Sequence, residues 1–398
     1  MRWLGLLVML CCAGCASLRA RRYNDVRSGY TTVSGLVRVK AGAPAGDRWV
    51  VLYKKGRRGW VRYSVLGFLD ARRFDYLCRA GEYRLVAFVD VDGDRRLGVS
   101  EPRVELPSIE VNAGRPVWGL LAELGADVTP VSSPVELPDA EETWARHLIY
   151  EHVGDLAKLD DTRLGEEAGE LGYLNTAAFL KRYGLGVSFL QPYDPTKTPV
   201  VFVHGARGHP SEFSQLIDGL DRQRFQPWVV SYPSGASLTY ASEMLQRVLE
   251  LLQRQLHFNA LHVVAHSMGG LVARDAVAQL PGRWVTSLVT FSTPWGGGAR
   301  ANLGLQAAPT VVSSWADIAA GSDFIDAALD RPLLPRHYLF FSFEGGSGTD
   351  GVVELKSQLA PEVQQQATRV YGLAATHTSI LRSPEAAALL NEVLLESE

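Results

Sequence analysis

The sequence predicts an α/β architecture, a mostly parallel sheet with helices on both faces, preceded by a smaller all-β, sandwich-like domain. Three observations carry this prediction. From Thr198 onward, continuous apolar runs alternate with amphipathic helical patterns, as expected of strands buried on both faces and joined by crossover helices. From Thr31 to Glu123 the chain offers short β-branched and aromatic runs punctuated by Gly, Pro and Asp, the pattern of a sandwich or small barrel. Between them Pro130, Pro134 and Pro138, with Ser132 and Ser133, read as a linker.

Taken in order, residues 1–14 read as a signal peptide and 15–30 as a tether. MRWLGLLVMLCCAGCASLRA has an early Arg2, a short apolar stretch and then small residues, too short to span a membrane comfortably. Ala13 and Gly14 directly before Cys15 resemble a bacterial lipobox, which implies a lipidated Cys15, although Cys12 stands where leucine is usual. Ordinary cleavage near Ala16, or no cleavage, are the competing readings. Ala16 lacks the charge that can retain a lipoprotein in the inner membrane, so an outer-membrane anchor is expected. Of the four cysteines, Cys11 and Cys12 lie in the signal and Cys15 at the anchor. Cys78 is then left alone, expected as a small buried apolar residue.

Residues 31–126 form the predicted β domain, with strands in VSGLVRV, RWVVLYK, WVRYSVL, EYRLVAFV and PSIEV. The stretch CRAGEYRLVAFVDVDGDRRLG resembles the prealbumin-like or immunoglobulin-like modules found beside bacterial surface enzymes. It also contains Asp90, Asp92 and Asp94, with Glu101 at the twelfth position. Alternate oxygens and a distant glutamate suit a hard cation such as Ca²⁺. Arg95 stands where an EF-hand has its glycine, and Arg95, Arg96 and Arg103 could offset the charge of a plain acidic hairpin loop. Both readings stay open.

After the linker, 127–140, the second domain covers 141–398 and starts with a helical lead-in. EETWARHLIYEHVGDLAKL has helical apolar spacing, and NTAAFLKRYG offers Asn175 as a cap and Gly184 as a stop. PVVFVHG and WVVSYPSG then read as strands. SLTYASEMLQRVLELLQRQL places apolar residues at 241, 244, 245, 248, 251 and 252 on one helix face. Strand ALHVVAH, helix GGLVARDAVAQL and strands SLVTFS, HYLFFSF and ATRVYG follow. A final helix starts near Ser383 and Pro384, where a first-turn proline is tolerated.

The net charge of −3 and an apolar fraction of 46% exclude a strongly basic nucleic-acid binder. Chemistry concentrates at Ser267, which follows the run LHVVAH and precedes two glycines that open a helix. A nucleophile on a strained strand-to-helix turn needs small neighbours, and here the pattern is Ala265-His266-Ser267-Met268-Gly269. A helix-capping serine would suit the same position. In FVHGARGHP, a His-Gly pair after the first long strand lets the backbone turn and aim an amide at a carbonyl. The N–H groups of Ala206 and Met268 are the expected oxyanion donors, each worth about 3 kcal/mol in a transition state.

Together PVVFVHG, AHSMGGLVAR, FSTPWGG, DGVVELKS and THTSIL resemble the α/β-hydrolase superfamily in its lipase and esterase branch, from Thr198 to the carboxyl end. Alanine replaces the first glycine of the usual G-x-S-x-G. The resemblance implies the order serine, acid, histidine, and with it His377 as base and Asp350 as its acid partner. Asp317, Asp323, Asp326 and Glu354 are rivals for the acid. The residues between STPWGGG and HYLFF lie where such proteins often insert a cap. The expected function is an envelope-anchored serine hydrolase of carboxylic esters, on lipid or acyl substrates, needing no cofactor for catalysis. A thioesterase, amidase or protein deacylase would use the same triad. An inactive binding module is the non-enzyme alternative. The expected partners are the ester substrate and, through the anchor, a membrane.

Overall fold

The computed structural model describes residues 30–57, 59–68, 72–94, 96–112, 115, 117–128, 150–280, 284–298 and 312–397. Cys15 and Arg95 lie outside them, as do the signal, the tether and most of the linker. The chain divides into two compact units, Asn24–Ile149 and a second that includes Tyr150–Glu398. No helix among the described residues is long and apolar enough to cross a membrane.

The first unit contains β1 (Tyr30–Val39), β2 (Asp47–Gly56), β3 (Gly59–Phe68), β4 (Arg72–Arg79), β5 (Gly81–Asp90), β6 (Arg103–Glu105), β7 (Ile109–Val111) and β8 (Val117–Leu124). One sheet runs β4-β1-β8 and the other β3-β2-β5-β6, with β7 paired to β5. Their facing side chains interleave in one core: Val33, Val37 and Cys78 from the first sheet meet Val50, Leu52, Leu85 and Val89 from the second. Strand alternation explains this, because residues two apart share a face. The opposite face of β2 and β5 gathers Trp49, Val51, Tyr53, Val86 and Phe88 into a second cluster. Burial pushes the Cys78 thiol up to about 12, so it stays protonated and inert.

The second unit is built on a sheet ordered β16-β15-β14-β13-β11-β12-β10-β9. Its strands are β9 (Tyr150–Leu156), β10 (Leu185–Phe189), β11 (Thr198–Val203), β12 (Phe225–Ser231), β13 (Leu261–His266), β14 (Val285–Phe291), β15 (Arg336–Phe343) and β16 (Arg369–Ala374). From β12 to β16 neighbouring strands are parallel; β9 and β10 are parallel to each other and join antiparallel through β10 and β12. Helices α1 (Glu166–Leu174) and α2 (Thr176–Tyr183) precede β10, α3 (Leu238–Leu256) and α4 (Met268–Ala278) flank β13, and α5 (Pro384–Glu396) ends the unit. Asn175 caps α2 by accepting from the Ala178 N–H at 2.9 Å, and Ser383 caps α5 by accepting from Ala386 N–H at 3.2 Å.

One expectation fails here. The first segment of the lead-in, EETWARHLIYEHVGDLAKL, is a strand over Tyr150–Leu156, which pairs with β10. Tyr150, Val153 and Leu156 recur every third residue and so imitate a helix face. The segment is an irregular edge strand, with register shifts against β10 and Gly154 at φ +76°, a conformation costly for other residues.

Candidate active site

The loops that matter all leave the carboxyl ends of parallel strands, where open α/β sheets bind ligands. β13 leads to Ser267, β11 to His204–His209, β15 to Asp350 and β16 to His377. Ser267 has φ 54° and ψ −133°, strained for a residue with a Cβ. Its N–H donates to Phe291 O at 2.8 Å, tying the turn to the next strand. Its side chain makes no capping bond to α4, so the capping alternative does not hold. The small neighbours have a reason. A Cβ on Gly269 would stand 2.3 Å from His204 O, and one on Gly270 would stand 2.0 Å from Thr293 Oγ1.

Ser267 Oγ lies 2.8 Å from His377 Nε2. His377 Nδ1 donates to Asp350 Oδ2 at 2.7 Å, which leaves Nε2 free of hydrogen to receive one from the serine. His377 N–H also donates to Asp350 O at 2.9 Å. Asp350 Oδ1 accepts from the N–H groups of Val352 at 2.9 Å and Val353 at 2.7 Å. Its Oδ2 further accepts from Ser342 Oγ at 2.9 Å and Gln358 Nε2 at 3.1 Å. Burial pushes the Asp350 pKa up, but the His377 bond and charge and the two amides outweigh it and hold the carboxyl below its usual range. His377 is lowered from the ordinary histidine value, chiefly by burial, with the Asp350 bond opposing.

The rival acids are elsewhere. Asp317 lies in the helix Ser313–Asp317, where its Oδ2 accepts from Leu238 N–H at 2.8 Å. Asp323 and Asp326 sit in the first turn of the helix Asp323–Asp330, and Glu354 pairs with Lys356. Ser342 and Gln358, which brace the acid, escape sequence reasoning. A serine within a strand and a glutamine in a short helix carry no motif.

Ala206 lines the same cleft, and the N–H groups of Ala206 and Met268 donate to no group among the described residues. Met268 opens α4, whose dipole favours negative charge there. In the loop bearing Ala206, Arg207 stands at φ 58° and its N–H donates to Ser234 Oγ at 3.0 Å. Tyr232 Oη donates to His204 O at 2.7 Å and stacks on the His204 ring at 4.3 Å. Burial lowers His204 to about 4, so this histidine is neutral and structural. The cleft encloses about 720 Å³, and Ser267 and His377 share its lining with Glu166, Glu170, Arg207 and Arg382.

In the β unit, the carboxylate oxygens of Asp90, Asp92 and Asp94 converge within 4.8 Å of one another. Glu101 is not brought into that group. Its two oxygens accept from the N–H groups of Val91 and Gly98, both at 2.7 Å, so it braces the loop. Arg103 braces the same loop by donating to the carbonyls of Glu101 and Gly98.

Residues 200–391 match the alpha/beta hydrolase family. None of the curated proteins compared with the chain matches it. Among solved structures, mature lipase BlEst2 of Bacillus licheniformis is 19% identical with a TM-score of 0.42, over 53% of this chain and 96% of that one. Lipase B of Aspergillus fumigatus is 16% identical with a TM-score of 0.45, over 53% of this chain and 56% of that one. A gene product of Listeria innocua is 15% identical with a TM-score of 0.40, over 51% and 95%. The sheet order, the strained turn after β13 and the family match agree on one architecture: the unit from Tyr150 to Glu398 has the α/β-hydrolase fold.

Proposed function

We propose that the chain is a serine hydrolase of carboxylic esters, acting on acyl or lipid esters at the bacterial envelope. The observation that carries this is the hydrogen-bonded line Ser267–His377–Asp350, at 2.8 and 2.7 Å. Ser267 Oγ attacks the acyl carbon while its proton passes to His377 Nε2, and Asp350 balances the imidazolium. The N–H groups of Ala206 and Met268 receive the oxyanion. Collapse of the tetrahedral adduct breaks the bond to the alcohol oxygen, which takes the proton from His377. Water then gives a proton to His377 and attacks the acyl-enzyme; release of the acid returns that proton to Ser267. The scheme calls for no cofactor.

The test is labelling by a fluorophosphonate. Wild-type protein should be modified at Ser267 and should hydrolyse a p-nitrophenyl ester. Ser267→Ala should do neither while folding normally, and a variant that keeps its turnover would refute the assignment. Anchoring through a lipidated Cys15, in the outer membrane, belongs to the same proposal and rests on the lipobox resemblance. So does a structural Ca²⁺ held by Asp90, Asp92 and Asp94, remote in sequence from the triad.

A further inference from the structure

His266 precedes the nucleophile, and the scheme above gives it no part. Its side chain is 4% exposed. Its Nε2 donates to the backbone carbonyl of His377 at 2.8 Å, and the two rings lie 4.8 Å apart, tilted by 43°. Nδ1 has no hydrogen-bond partner of its own and faces Glu212 Oε1 at 3.5 Å, an oxygen likewise without one. Glu212 lies on the short 3-10 helix Pro210–Phe213, just after the loop that bears Ala206. Burial works against its charge, but His266 beside it outweighs that and holds the carboxyl below its usual range. Two buried polar atoms turned toward each other, with no other partner, are costly to keep unless they act as a pair.

We infer that Glu212 and His266 are positioning residues for His377: the Glu212 carboxylate takes the Nδ1–H of His266 as its partner and so sets the ring, whose Nε2–H holds the backbone of the base. This rests on the serine-hydrolase reading. His377 stands on the loop after the edge strand β16, with its ring tied to Asp350 at Nδ1. The bond from His266 fixes the same residue from the nucleophile's side. It thereby sets the distance from Nε2 to Ser267 Oγ. The charged and titratable groups that meet here are Asp350, His266 and Glu212 around His377, and His204, His209 and His266 around Glu212.

The full chain carrying His266→Phe, Glu212→Leu or Glu212→Gln tests this through kcat, KM, the rate of Ser267 labelling by a fluorophosphonate, and the thermal midpoint. A misplaced base costs up to about a hundredfold. His266→Phe and Glu212→Leu should therefore lose about tenfold to a hundredfold in kcat, with KM nearly unchanged and labelling slowed in parallel. Either variant suffices if the other does not fold. Glu212→Gln, whose amide offers both an acceptor and a donor to Nδ1 and can keep the ring turned, should retain most of kcat. Wild-type turnover in a folded Phe or Leu variant overturns the inference, as does a Gln variant as impaired as the Leu variant. If the wild-type protein neither labels nor hydrolyses, it is the serine-hydrolase reading that falls.

Discussion

Ser267 holds a strained backbone because everything around it leaves no alternative. The Phe291 carbonyl takes its N–H, and the carbonyls of Val203 and His204 close over Gly269 where any side chain would collide. That packing is why the turn at Ser267 was legible in the sequence, since small residues in fixed order report a turn that only they can make. That Asp350 and His377 meet Ser267 was legible only through the order of motifs, because a lone loop aspartate or histidine has no local signature. Glu212 was not legible at all: nothing near it in sequence announces that it reaches His266. At this scale Asp350→Asn should lower kcat by about 10⁴ with little loss of fold, since it upsets the tautomer of His377. The pH dependence of the proposed hydrolase follows from the neutral imidazole that its scheme requires at His377. His377 is lowered below its ordinary value of 6.5, mainly by burial. The acid limb of kcat/KM should therefore lie below pH 6.5, with the rate lost as pH falls through it. A pH–rate profile checks this, and a limb above 6.5 would contradict the buried environment.

Among elements, α3 and α2 declared themselves through periodicity and caps, and the parallel strands through apolar runs flanked by glycine. Strand β9 did not, because an edge strand with a kink at Gly154 imposes no clean alternation on its residues. The loop between β5 and β6 shows the same limit. Its acidic spacing suggested four ligands, whereas Glu101 is 4% exposed and serves two backbone amides. Hydrogen bonds to a charged group are worth roughly 1.5–3 kcal/mol each. Glu101→Ala should therefore lower the stability of the β unit by a few kcal/mol, with ester hydrolysis retained. For the three remaining carboxylates, millimolar Ca²⁺ should raise the thermal midpoint of that unit by mass action. The rise should disappear in Asp92→Ala. An unchanged midpoint in the wild-type chain would remove the cation from the proposal.

For the molecule as a whole, the proposed anchor and the response to acid are separable. Cys15→Ser should release the protein from membranes and end its labelling by fatty acid without altering kcat on a soluble ester. The acid response belongs to the folded body. Burial is the largest cause that lowers His204 and His262 to about 4, and it lowers His337 to about 3 with help from the Arg274 charge. In the unfolded chain these rings titrate near 6.5, so between 6.5 and the folded values the unfolded state binds protons that the folded state refuses. The sign is then fixed: their contribution is fully present above about pH 6.5 and is lost as pH falls toward the folded values. Lowering a pKa by one is worth about 1.4 kcal/mol, which puts the loss at a few kcal/mol per histidine, a large share of a typical net stability. The thermal midpoint of the hydrolase-fold unit should therefore fall steadily from pH 6.5 to pH 4. His262→Asn should flatten that slope, since its neutral amide can still bond to Ser287, which now accepts from or donates to His262 Nδ1 at 2.8 Å. A midpoint constant across this range would mean that the three rings are not held neutral in the fold.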